Sequence, residues 1–170
     1  SRGVRELDRI FTSQRTAFAR NPMPGAKERI GNLKRLKKAL IQQREHIIDA
    51  VHADYSCRSR DETLLGELLP SVEGLGFAIR RVRQWMKPDR RRVGMLFQPA
   101  KARVYYQPKG VVGVIVPWNY PLYLLIGPLT GALAAGNRVV IKTSRRAAET
   151  GKAVQAMIGE AFEEDHVTVL

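Results

Sequence analysis

An uncharged run of 27 residues, from Val111 to Asn137, constrains the fold of this chain more than any other feature. The run is long enough for a membrane-spanning helix, which needs about 20 apolar residues. Three prolines interrupt it, however, and its middle has the residues of a turn. The pattern therefore predicts a buried strand at 111–116, a turn, and an apolar helix at about 121–135 that ends at Gly136.

The residues after this run repeat the alternation of strand and helix. A second apolar strand is expected at 138–142, a helix with a buried face follows it, and a third strand begins at residue 167. This alternation is typical of a parallel sheet with crossover helices, and the continuous apolar runs indicate strands covered on both faces. Because the chain ends within the third strand, we expect an α/β fold whose sheet is unfinished.

Three apolar stripes at helical spacing precede the sheet. They predict a helix at 4–18, one long helix at 30–51, and a third helix at 64–85 that Pro88 stops. Such stripes are mostly packing surfaces, so we expect these helices to pack against other elements. A short strand is predicted at Arg103–Gln107.

Composition excludes several classes of protein. Hydrophobic residues make up 44% and charged residues 26% of the chain, which excludes a disordered tail, a collagen-like fibre and a polytopic membrane protein. Cys57 is the only cysteine, so an internal disulfide is excluded, and no secretory signal pattern opens the chain. We therefore expect a cytoplasmic protein with no membrane partner.

Positive charge is concentrated in residues 80–109. Ten Lys or Arg residues lie there with Asp89 as the only acid, in a chain whose formal net charge is +13. Such a basic stretch is one indication of nucleic-acid binding. No aromatic stacking motif, zinc-ligand spacing or helix-turn-helix pattern accompanies it. A non-catalytic module that binds nucleic acid or an acidic partner through 80–109 is therefore only the alternative function, and no metal site is expected.

Two segments follow the carboxyl ends of the predicted strands, where open α/β sheets bind their ligands. In the first segment, Asn119 either donates a side-chain N–H to an oxyanion or caps the helix that follows. In the second, Lys142 either holds the ribose hydroxyls or a phosphate of a dinucleotide, or extends into solvent. The ordinary dinucleotide fingerprint, G-x-G-x-x-G, is missing, as is a Walker A loop.

Two longer strings carry a resemblance to a known family: PKGVVGVIVPWNYPL at 108–122 and GALAAGNRVVIK at 131–142. Together they closely resemble the aldehyde dehydrogenase superfamily. The segments Arg58–Thr63 and Trp85–Pro88 look most like the coniferyl aldehyde dehydrogenase branch. The resemblance covers essentially the whole chain, but only the amino-terminal part of a family member.

The resemblance implies an incomplete aldehyde dehydrogenase fold, with amino-terminal helices and the first strands of a Rossmann-like parallel sheet. Residues 1–103 would be the helical region of the cofactor domain and residues 104–170 the first βαβαβ part of the NAD(P)-binding domain, with the catalytic domain absent. Asn119 would be the oxyanion donor, and Tyr120 and Leu124 would line a tunnel suited to aromatic aldehydes. Contacts to NAD or NADP would come from Val116, Pro117, Trp118, Lys142, Ser144 and Arg145.

Two departures from the family pattern affect the expected activity. The family usually has Lys-Pro-Ser-Glu at 142–145, and its glutamate favours NAD. Arg145 reverses that charge, which implies either tolerance of NADP or a degraded site. In the family the nucleophilic cysteine and the general-base glutamate lie beyond the end of this chain, and Cys57 is not that cysteine. The resemblance therefore implies an NAD(P)-dependent enzyme that oxidises aldehydes and is a homodimer when complete, and a 170-residue chain that is inactive alone.

Overall fold

The computed structural model describes residues 2–170. Its helices are α1 (Arg2–Arg20), α2 (Ala26–Gln42), α3 (Arg44–Tyr55), α4 (Arg60–Thr63), α5 (Leu69–Trp85), α6 (Tyr123–Ala135) and α7 (Ala148–Ala161). Its strands are β1 (Asp89–Arg91), β2 (Ala102–Val104), β3 (Val111–Ile115), β4 (Arg138–Lys142) and β5 (Val167–Val169). A π-helical turn (Leu64–Leu68) joins α4 to α5, and a 3₁₀ turn (Met95–Phe97) lies between β1 and β2. The strand and helix alternation predicted after residue 110 is confirmed.

Strands β3, β4 and β5 form a parallel sheet in that order, with Val112 opposite Val139 and Val140 opposite Thr168. The predicted coverage of both faces is right for β4, whose three central residues are buried. It is wrong for β3, in which Ile115 is 85% exposed and only Val114 is buried. Within the described residues β3 is an edge strand, and nothing covers its outer face at Ile115.

The amino-terminal helices and the sheet share one hydrophobic core. Helices α2 and α5 pack against α6, while α2 and α3 pack against α7. Buried side chains from all these elements form a continuous cluster that runs from Leu33 in α2 to Val169 in β5. The expectation that the helices are packing elements is therefore confirmed. In the described part of the chain, no helix combines the length and apolar character that a membrane crossing requires.

Three elements differ from the sequence predictions. The stripe at 64–85 begins with the π-helical turn at Leu64–Leu68, and α5 starts only at Leu69. The stripe at 30–51 belongs to two helices, since the backbone at Gln43 leaves helical geometry with φ −95° and ψ 8° between α2 and α3. Both helices face the same core, so the hydrophobic periodicity does not mark the break. The strand predicted at Arg103–Gln107 is instead β2, at Ala102–Val104. Its length follows from its antiparallel partner β1, which offers only three residues for pairing.

The end of α6 has the predicted geometry. Gly136 adopts φ 88°, in the left-handed region that favours glycine, and a Cβ there would lie 2.9 Å from the Arg29 side chain. The next side chain, Asn137, is buried and accepts hydrogen bonds from the N–H groups of Lys109 (2.7 Å) and Gly110 (3.0 Å). Asn137 therefore fixes the backbone that leads into β3.

Substitution of Asn137 by Ala is expected to lower the free energy of unfolding by about 2–3 kcal/mol, because the buried N–H of Gly110 loses its acceptor. The matched control is Asn21→Ala, at an exposed position whose side chain bonds Glu28, with an expected loss within about 0.5 kcal/mol. Urea unfolding followed by circular dichroism measures both. Equal losses in the two variants would contradict this role for Asn137.

Candidate active site

The segments that follow β3 and β4 lie side by side at the carboxyl end of the sheet. Ile115 pairs with Lys142 in the strand register, and the Val116 N–H donates to the Lys142 carbonyl at 2.9 Å. The Arg146 guanidinium lies 5.8 Å from the centre of the Trp118 ring. The two segments singled out in the sequence therefore share one edge of the sheet, where ligands of open α/β folds bind.

The predicted site residues of this edge differ in their exposure. Val116 is buried, Leu124 and Ser144 are half-buried, and the others are exposed, namely Pro117, Trp118, Asn119, Tyr120, Lys142 and Arg145. The Lys142 ammonium donates to the Thr143 carbonyl at 3.0 Å, and the Ser144 hydroxyl accepts from the Arg146 N–H at 3.2 Å. The edge thus presents an amide, an ammonium and two guanidinium groups to solvent.

Asn119 does not cap α6, so the capping alternative is wrong. The N-cap position is Leu122, and the N–H groups of Leu122 and Tyr123 donate to Glu67 Oε2 at 2.7 and 3.0 Å. A carboxylate from the π-helical turn occupies the place that a local cap would take. The Asn119 side chain stays exposed and available to a ligand.

Glu67 is fully buried, and Arg58 pairs with it. The Arg58 Nη1 donates to Glu67 Oε1 at 2.9 Å, so both carboxylate oxygens have partners. Burial raises the pKa of the Glu67 carboxyl, while the two backbone N–H groups and Arg58 oppose that shift. The ion pair thus lies directly beneath the start of α6.

Arg58 also contacts the segment that carries Asn119. Its guanidinium lies 4.5 Å from the centre of the Tyr55 ring and 5.0 Å from that of Tyr120, and Nη2 donates to the Asn119 carbonyl at 2.6 Å. The Tyr55 hydroxyl donates to the Trp118 carbonyl. The sequence reasoning did not assign these roles to Tyr55, Arg58 and Glu67. One signal was available: Glu67 lies within the apolar stripe of 64–85, and a carboxylate on a buried face needs a partner.

A second carboxylate caps the other crossover helix. Asp54 accepts from the N–H groups of Glu149 (2.9 Å) and Thr150 (2.8 Å), and from the Thr150 hydroxyl (2.7 Å). In ordinary dinucleotide-binding sheets the pyrophosphate occupies the N-terminus of the first crossover helix. Here Glu67 and Asp54 each accept from two N–H groups at the N-termini of α6 and α7, so these donors already have negatively charged partners. This arrangement agrees with the missing G-x-G-x-x-G motif.

Cys57 is exposed and lies in the segment that joins α3 to α4, between Tyr55 and Arg58. Among residues 2–170, no three His, Cys, Asp or Glu side chains are grouped so that they could hold a metal ion. The chemical groups that this edge offers are therefore hydrogen-bond donors and positive charges.

Comparisons with known proteins give the family. The family model described as "Aldehyde dehydrogenase family" matches residues 2–170. A probable coniferyl aldehyde dehydrogenase of Pseudomonas aeruginosa is 52% identical over 167 residues, which cover 98% of this chain and 35% of that protein. A coniferyl aldehyde dehydrogenase of Pseudomonas sp. strain HR199 is 37% identical over 168 residues, covering 99% of this chain and 34% of that protein.

Solved structures share the fold. The substrate-bound state of Staphylococcus aureus AldH superposes with a TM-score of 0.93 at 26% identity, covering 96% of this chain and 36% of that one. A succinic semialdehyde dehydrogenase of Streptococcus pyogenes, solved with NADP+, has a TM-score of 0.84 at 17% identity, with coverage of 96% and 35%. The chain spans about a third of the length of these relatives. It belongs to the aldehyde dehydrogenase family.

Proposed function

We propose that this chain is the amino-terminal part of an NAD(P)-dependent aldehyde dehydrogenase that oxidises aromatic aldehydes of the coniferyl type to carboxylic acids. The hydrogen bond between Val116 and Lys142 is the observation that carries the proposal, because it brings the exposed Asn119 and Lys142 segments to one edge of the sheet. The coniferyl aldehyde dehydrogenases of the two pseudomonads, which match almost the whole chain, support the substrate class.

Asn119 is the oxyanion donor of this proposal. When a cysteine thiolate adds to the aldehyde carbon, the carbonyl oxygen gains negative charge, and the side-chain N–H of Asn119 donates to it. The thiolate and the glutamate that activates water for thioester hydrolysis are proposed to come from residues outside these 170. Cys57 is the only cysteine here, and we propose that the chain alone is inactive.

The charged groups at this edge fit a dinucleotide. When bound, NAD or NADP would accept the hydride that leaves the aldehyde carbon. Lys142 would hold the adenosine ribose, with Ser144 and Arg145 beside it, while Val116, Pro117 and Trp118 would contact the nicotinamide half. Because Glu67 and Asp54 occupy the helix N-termini, the phosphates would need positive side chains or other backbone donors.

Tyr120 and Leu124 are proposed to line the aldehyde tunnel. The Leu124 N–H donates to the Tyr120 carbonyl at 3.0 Å, which places the two residues one turn apart. Tyr120 is exposed and precedes α6, while Leu124 is half-buried in the first turn of that helix. Together a tyrosine ring and a leucine would offer apolar surface to the ring of an aromatic aldehyde.

The test is a chimera that joins residues 1–170 of this chain to the remaining two thirds of the Pseudomonas aeruginosa relative. We expect this chimera to reduce NAD or NADP when coniferyl aldehyde is added. The absorbance of the reduced nicotinamide measures this reaction. The 170-residue chain should give no turnover. A folded chimera that oxidises no aldehyde would overturn the proposed function.

Arg145 is expected to favour NADP through attraction to the 2′-phosphate. The substitution Arg145→Glu in the chimera should shift the ratio of the NADP and NAD dissociation constants toward NAD by about tenfold or more. The matched control, Arg20→Glu, makes the same change in net charge at an exposed position at the end of α1 and should leave the ratio unchanged. Fluorescence titration measures binding directly. Equal ratios in the parent and Arg145→Glu proteins would exclude this role.

The complete polypeptide is proposed to be a homodimer. The ribbon of β1 and β2 carries Met95, Leu96 and Phe97 at its tip, and Met95 and Leu96 are 88% and 94% exposed. Apolar side chains so exposed are typical of a surface that another polypeptide covers. A nucleic-acid function for 80–109 is not proposed, since the matched enzyme family includes that stretch.

A further inference from the structure

We propose that Arg58 is a positioning residue that sets the direction of the Asn119 side chain, through a fixed backbone at 117–123. This inference rests on the proposed function and adds a residue that the family motifs at 108–142 do not contain. Arg58 lies 61 residues before Asn119 and touches the segment at its main chain. It therefore acts through the backbone and not on the aldehyde itself.

The segment at 117–123 makes hydrogen bonds along its length with one small cluster, which consists of Tyr55, Arg58 and Glu67. Tyr55 binds the Trp118 carbonyl, Arg58 the Asn119 carbonyl, and Glu67 the N–H groups of Leu122 and Tyr123. Arg58 contacts the rest of this cluster, since it pairs with Glu67 and its guanidinium lies 4.5 Å from the centre of the Tyr55 ring and 5.0 Å from that of Tyr120 in the segment itself.

The side chain of Arg58 suits this position for a geometric reason. Its guanidinium is planar, so it donates from two nitrogens in different directions while it lies within 5.0 Å of the centres of two aromatic rings. Nη1 reaches Glu67 and Nη2 reaches Asn119 in this way, and the side chain is only 12% exposed. A lysine ammonium could pair with Glu67, but it could not make all these contacts together.

The first test measures how well the backbone of this segment is fixed, and it does not require an active enzyme. In the 170-residue chain, Arg58→Ala should speed hydrogen–deuterium exchange in peptides covering 117–125 by about tenfold or more relative to the unsubstituted chain. Exchange in β4 should stay unchanged. The matched control is Arg60→Ala. Arg60 lies two residues away and pairs with Glu45 and Asp49 at the surface, so its loss should leave 117–125 unaffected.

Unchanged exchange at 117–125 in Arg58→Ala would overturn the proposal. Should Arg58→Ala raise exchange throughout the chain, Arg58→Lys decides the question. That variant keeps the charge beside Glu67 and loses the planar guanidinium near the two rings. We expect it to raise exchange at 117–125 alone, and protection equal to that of the unsubstituted chain would contradict the positioning role.

Activity of the chimera is the second test. A displacement of about 1 Å at a reacting centre costs roughly 10²-fold in rate, so Arg58→Ala should lower kcat by about 10- to 10²-fold, and by more than it raises KM. Methylguanidinium added to Arg58→Ala should restore part of kcat, and Arg60→Ala should behave like the parent. An unchanged kcat would overturn the proposal. Absence of activity in the unsubstituted chimera would instead contradict the proposed function, and the exchange data would still decide the role of Arg58.

Discussion

Replacement of Asn119 by Ala in the chimera is expected to lower kcat by about 10²–10³-fold, because loss of one oxyanion donor costs that much in other enzymes. The side chain is exposed and does not cap α6, since Glu67 accepts from the Leu122 and Tyr123 N–H groups. Stability should therefore change little, and the loss should appear in turnover. Steady-state kinetics with coniferyl aldehyde, together with a thermal melt of each protein, measures both effects.

The substitution Asn119→Asp separates an oxyanion donor from a structural residue. Aspartate has nearly the same size and shape as asparagine, so the substitution leaves the packing of this exposed side chain almost unchanged. A carboxylate cannot donate a hydrogen bond and would repel an oxyanion. We therefore expect Asn119→Asp to be at least as slow as Asn119→Ala. Activity near that of the parent in Asn119→Asp would contradict the role proposed for the amide.

The substitution Leu40→Ala is expected to give the largest loss of stability, about 2–5 kcal/mol. Leu40 is 0% exposed and belongs to the shared core, so its loss leaves a cavity where α2 packs with other elements. A loss of this size corresponds to a fall in Tm of roughly 5–15 °C in a chain of this length. Thermal unfolding of the 170-residue chain followed by circular dichroism checks it.

Ile41→Ala is the matched control for Leu40→Ala. The two residues are adjacent in α2, but Ile41 is 40% exposed. Its truncation removes fewer buried contacts, and we expect a loss of no more than about 1 kcal/mol. Similar falls in Tm for the two variants would mean that α2 does not pack as described.

Local patterns in the sequence were sufficient to predict the strands of the parallel sheet and the end of α6. The apolar runs at 111–116 and 138–142 and the Gly136 cap depend on residues that are neighbours in the chain, so periodicity and turn chemistry predicted them. Hydrophobic periodicity did not predict the break at Gln43, because both adjoining helices face one core. It also did not predict the exposed face of β3, which depends on what packs over the strand.

The motif around Asn119 indicated which residues lie at the carboxyl end of the sheet, but not what holds them. Asn119 follows β3 and Lys142 ends the adjacent parallel strand β4, so their position at one edge of the sheet follows from the alternation of strand and helix. The cap on α6 does not follow from this alternation, because Glu67 lies 55 residues before Leu122. The cap on α7 comes from Asp54, which lies 96 residues before Thr150. No spacing within the chain indicates contacts over such separations.

The sequence by itself determined the α/β class, the strand order along the chain and the residues at the carboxyl end of the sheet, because local hydrophobic periodicity and a specific motif encode them. Only the tertiary structure decided that carboxylates from the amino-terminal helical region cap the N-termini of both crossover helices. It also decided that Arg58 lies under the Asn119 segment. The physical reason is that a buried charge must find its partner in space, and packing brings together residues that the chain keeps far apart.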